Sequence, residues 1–67
     1  MNSLQKEIYE YIEHFLAENK YSPSMREVGK AAGLKSSSTI HRHLDVMREK
    51  GYIDFINSSP RTLQIIT

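Results

Sequence analysis

The sequence predicts a mainly α domain closed by a small β-hairpin, and three observations predict it. Apolar residues recur at spacings of three and four in successive stretches, the pattern of helices that each bury one stripe. Those stretches are bounded by residues that start and stop helices: Asn2, Ser24 and Ser36 or Ser37 before them, Gly33 and Gly51 after two of them. Past Gly51 the periodicity changes to an apolar alternation on either side of a polar turn, which is strand chemistry.

The first helix is expected over about Ser3 to Asn19. Asn2, followed three residues later by Gln5, has the form of a capping box. Leu4, Ile8, Ile12, Phe15 and Leu16 make one apolar stripe flanked by Tyr11, with the glutamates on the other faces. Asn19-Lys20-Tyr21-Ser22-Pro23 breaks the pattern, because Pro23 disfavours helical geometry at Ser22. Ser24 and Glu27 form a second capping box, so a second helix runs from about Met25 to Ala32 and buries Val28 with Ala31 or Ala32. Gly33 ends it in a left-handed conformation, and Leu34 packs inward as the chain reverses.

Ser36 or Ser37 caps a third helix that runs to about Lys50 and stops at Gly51. At 100° per residue, Ile40, Leu44 and Met47 face the core together. Ser38, Arg42, Asp45 and Glu49 then lie opposite, with Thr39 and His41 on the flanks. Ile53 and Phe55, then Leu63 and Ile65, alternate around Asn57-Ser58-Ser59-Pro60-Arg61 and read as a hairpin with Arg61 at its tip. Two helices joined by a glycine turn, followed by a hairpin, make a three-helix winged helix-turn-helix, with the wing at about residues 52–66 of a single domain, 1–67.

The second of the paired helices opens with small hydroxyl side chains and carries only Arg42 as a charge near its exposed start. Such a surface suits the major groove of double-stranded DNA. The forked guanidinium of Arg42 can hold guanine O6 and N7 together; a pair with Asp45 or a phosphate contact are the alternatives. Lys35, beside the helix start, and Arg61, at the wing tip, are placed for phosphate, Arg61 also for the minor groove. The net charge of +1 conceals a division, −3 over residues 1–19 and +4 over residues 20–67, so one basic face can meet phosphate while an acidic helix meets solvent.

Composition narrows the class. With 67 residues, 39% hydrophobic and 25% charged, the chain suits one small soluble domain. No apolar run approaches the roughly 20 residues of a membrane span, no signal peptide opens the chain, and a cytoplasmic location is the simplest reading. Without cysteine there are no disulfides or thiolate metal sites. His41 and His43 point apart on one helix and His14 lies on another, so no metal or other cofactor is expected. No carboxylate–histidine pair is positioned to activate the serines, and no enzyme activity is expected. The tyrosines Tyr9, Tyr11, Tyr21 and Tyr52 read as packing residues.

From about Gln5 to Ile65 the sequence resembles the DNA-binding domain of the LexA family of SOS-response repressors. The segments that carry the resemblance are YSPSMREVGKAAGL, SSSTIHRHL and the KGYI leading into the hairpin, in the form typical of Gram-positive bacteria. The resemblance implies a third helix that reads an inverted-repeat operator, one domain per half-site, as a homodimer on DNA. Carried over by position, it implies base-edge contact by Ser36, Ser38, Thr39, His41 and Arg42. It also implies a self-cleaving Ser–Lys peptidase domain that makes the dimer. Ending at Thr67, the chain is expected to lack both, as an excised domain or as a stand-alone relative of the phage-encoded kind. Arg42 stands where the resemblance leads one to expect a small residue, so a different operator is expected. A second reading stays open: a protein-binding winged helix that docks on a host repressor or RNA polymerase. Asp45 and Glu49, farther along the exposed face, would be repelled by phosphate if that helix were inserted deeply.

Overall fold

Asn2 starts the first helix, α1 (Ser3–Asn19), because its side-chain oxygen accepts the Gln5 amide at 2.8 Å. In the computed structural model, which describes all 67 residues, it is followed by α2 (Met25–Ala31), α3 (Ser37–Glu49), β1 (Ile53–Asp54) and β2 (Gln64–Ile65). The capping box expected at Asn2 is only half formed. Gln5 lies on the inward stripe with Ile8 and Ile12, and is itself buried. Its amide Nε2 turns to His43 Nδ1 on α3 at 3.3 Å, since a buried amide without a partner would be costly. Phe15, expected in the core stripe, sits at its edge and meets the Tyr21 ring at 5.5 Å.

α2 begins with the complete box: Ser24 Oγ accepts the Glu27 amide at 3.1 Å, and Glu27 Oε1 accepts the Ser24 amide at 2.9 Å. Of the two alanines, Ala32 packs against the core while Ala31 is exposed. Two glycines then close the paired helices, Gly33 ending α2 and Gly51 ending α3. Gly33, at φ 77°, lets Leu34 N–H reach back to the Gly29 carbonyl at 2.9 Å, and Gly51, at φ 84°, lets Tyr52 N–H reach the Met47 carbonyl at 3.1 Å. Both are Schellman closures, which require a left-handed residue just past the helix. Between them Ile40, Leu44 and Met47 are buried, as their spacing predicts.

The hairpin has the expected antiparallel order but a much shorter ladder, pairing only Ile53 with Ile65 and Asp54 with Gln64. Away from the tip the Ile66 amide still meets the Tyr52 carbonyl at 2.9 Å, but toward the tip side chains supply most of the backbone's partners. Ser22 Oγ accepts the Leu63 amide at 2.9 Å, Thr62 Oγ1 accepts the Ile56 amide at 2.9 Å, and Arg48 Nη1 donates to the Phe55 carbonyl at 3.2 Å. Phe55 and Leu63 remain buried without being strand-paired. One core of Ile8, Ile12, Val28, Ile40, Leu44, Met47, Ile53, Phe55 and Leu63 draws on all three helices and both arms of the wing. No helix is long and apolar enough to cross a membrane.

Candidate nucleic-acid interface

Because Ile40, Leu44 and Met47 fix the phase of α3, its other face is set outward at the helix start. Ser36, Ser37, Ser38, Thr39 and Arg42 are all exposed. Ser36 occupies the N-cap position, yet its side chain makes no capping bond, so its hydroxyl is free to serve a ligand. Arg42 makes no ion pair or side-chain hydrogen bond. Its alternative partner, Asp45, is held instead by Arg48 Nη2 at 3.1 Å and lies 3.6 Å from His41 Nδ1. The Asp45 carboxylate, which would repel phosphate if isolated, therefore has a guanidinium beside it. Glu49 is exposed.

Between α2 and the start of α3 lies a groove of about 740 Å³, whose walls include Arg26, Lys30, Lys35, Ser36, Ser38 and His41 and no carboxylate. Arg26 and Lys30 were not singled out in the sequence, although their spacing of four, with Val28 and Ala32 turned inward, already placed them on one outward face. Lys35 joins them, so three cations border the hydroxyl-rich helix start. His41 is half-exposed and sets its ring edge-on to Phe55, centroids 6.0 Å apart. The three histidines have three different neighbours: His14 is 3.9 Å from Glu18, His41 approaches Asp45, and His43 meets Gln5.

Arg61 is placed otherwise than at the wing tip. A left-handed φ of 57° at Arg61 folds its side chain back over α2. There Nη1 lies 3.0 Å from Glu27 Oε1 and donates to the Ser22 carbonyl at 3.1 Å, with the guanidinium 5.4 Å from the Tyr21 ring centre. The tip is left to Asn57, Ser58, Ser59 and Pro60. Its guanidinium thus already has partners within the chain, which a phosphate would have to displace.

The Glu27 carboxyl is held below its ordinary value of 4.5, chiefly by the Ser24 amide. Partial loss of water opposes this, while the Ser24 hydroxyl and Arg61 add to the lowering. A carboxyl depressed in the folded state stabilises it above the unfolded value, and that contribution fades as pH falls below 4.5 through the folded value. Thermal melts of Glu27→Gln should accordingly show a flatter loss of stability on the acid side than the parent chain. Parallel curves there would mean that the cap and the Arg61 pair do not respond to protonation.

The chain matches the family described as the LexA DNA binding domain over residues 1–62. It is 49% identical over 63 residues to the LexA repressor of Staphylococcus haemolyticus, covering 94% of this chain and 30% of that protein. Against the LexA repressor of Staphylococcus epidermidis the identity is 48%, covering 94% of this chain and 31% of that protein. The LexA repressor of Staphylococcus aureus strain USA300 is likewise 48% identical, with 94% and 30% covered. The chain thus spans about 30% of the length of the curated relatives it matches.

Proposed function

This chain belongs to the LexA DNA-binding domain family, and from that membership we infer that it is a sequence-specific transcriptional repressor whose α3 enters the major groove of an inverted-repeat operator. The observation that carries this reading is the unpartnered Arg42 on the exposed face of α3, beside a groove bordered by cations and free of carboxylates. Arg26, Lys30 and Lys35 position the domain on phosphates. The uncapped Ser36 hydroxyl, Ser38, Thr39, His41 and Arg42 meet base edges. Positioning and reading are separate tasks, because phosphate contacts carry no direct sequence information.

One domain covers one half-site, so a second subunit on the other half completes the operator. The surroundings are those of the cell's DNA, in the cytoplasm, and the domain itself performs no catalysis. A titration of binding against salt tests the reading. With about three to five phosphates neutralised, log K against log salt should slope between about −3 and −5. A slope near zero would remove DNA as the partner and favour docking on a protein.

A further inference from the structure

We propose that Arg48, which faces the wing and not the proposed DNA surface, is a positioning residue that locks the wing to α3 and so sets where the wing can touch DNA. The proposal rests on the DNA reading above and goes beyond it by assigning a role outside the reading face. Three acceptors converge on the one guanidinium. Nη1 donates to the Phe55 carbonyl and to Asn57 Oδ1, each at 3.2 Å, and Nη2 donates to Asp45 Oδ1 at 3.1 Å. The same group lies 4.1 Å from the centre of the Phe55 ring. Every hydrogen bond between α3 and the segment 55–62 is donated by Arg48.

This clamp matters because the ladder ends at Asp54 and Gln64, leaving the outgoing arm of the wing no strand partner from Phe55 onward. Asp45 joins the clamp to the reading face, since its other oxygen lies 3.6 Å from His41 Nδ1. When α3 sits in a groove, the wing is therefore carried at a fixed offset from His41. A planar fork with several donors can serve three acceptors and a ring face together. A lysine ammonium keeps the charge beside Asp45 but has neither the fork nor the plane. The claim concerns geometry, so charge alone is insufficient.

The test compares the parent chain with Arg48→Lys and Arg48→Gln, using a duplex that the parent chain has enriched from a random pool. Amide relaxation of residues 56–62 in the free protein should show a looser wing in both variants. Hydroxyl-radical footprints should keep the protection beneath α3 and lose the flanking protection from the wing, with affinity down about tenfold, the scale of one lost set of groove contacts. A purely structural role would lower the melting temperature without moving the footprint in this selective way. Parent-like footprints in Arg48→Lys, or an ordered wing in Arg48→Gln, would overturn the proposal. Asn57→Ala removes one acceptor without touching the core and supplies the same comparison if Arg48→Gln fails to fold. Should the parent chain enrich no sequence, the DNA reading falls, while the relaxation data still decide whether the clamp exists.

Discussion

Leu44→Ala is expected to unfold the domain or badly weaken it, whereas Ser38→Ala should melt like the parent. Leu44 is fully buried, one turn beyond Ile40 and one before Met47, in the core that joins the helices to the wing. Truncating such a leucine removes its transfer free energy and leaves a cavity, a loss of about 2–5 kcal/mol. At the usual per-residue rate, a chain of this size has only about 3–10 kcal/mol of stability to lose. Ser38 is exposed and without a side-chain hydrogen bond, so its replacement should stay within about 0.5 kcal/mol. Circular dichroism melts of the two variants make the comparison. Equal stability would mean that the phase assigned to α3 is wrong, and the proposed reading residues would fall with it.

Arg42→Ala is expected to abolish discrimination at one operator position, whereas Lys35→Ala should weaken every sequence alike. Arg42 stands one turn into α3, opposite the buried Ile40–Leu44–Met47 stripe, with no internal partner competing for its guanidinium. Lys35 lies just before the helix, on the wall of the groove between α2 and α3. Loss of a bidentate base contact costs about 1–3 kcal/mol at that position, while loss of a phosphate contact lowers affinity uniformly. Binding to a panel of single-base operator variants at fixed salt separates the two outcomes. An even loss across the panel for Arg42→Ala would recast Arg42 as a phosphate anchor and leave specificity to Ser38, Thr39 and His41.

The parts of this fold that were legible in the sequence are those governed by residues close together in the chain. The phase of α3 follows from Ile40, Leu44 and Met47, the start of α2 from Ser24 and Glu27, and both glycine closures from Gly33 and Gly51. Arg26 and Lys30 were equally legible, because the same phase argument turns them outward. Arg61 was not: its partners Ser22 and Glu27 lie far back in the chain, and local patterning says nothing of such meetings. The same reason hides the turn of Gln5 from its cap toward His43. The short ladder was illegible for a different reason. Alternation at Phe55 and Leu63 reports burial, and here burial extends farther than strand pairing.

The two left-handed glycines that close α2 and α3 also bear on how such a domain diverges. Gly33 fixes where the chain leaves α2, Gly51 fixes where α3 ends whatever its outer face carries, and the inward stripe fixes the rotation of α3. The outward positions Ser38, Thr39 and Arg42 belong to neither constraint, since all three are exposed. Substitutions there are expected to cost about 0.5 kcal/mol or less in stability. The helix thus behaves as an exchangeable cassette in a constant frame, free to change its target without being retuned to fold. A residue inserted within α3 would behave quite differently, turning everything after it by about 100° and taking the later part of the buried stripe out of line with the core.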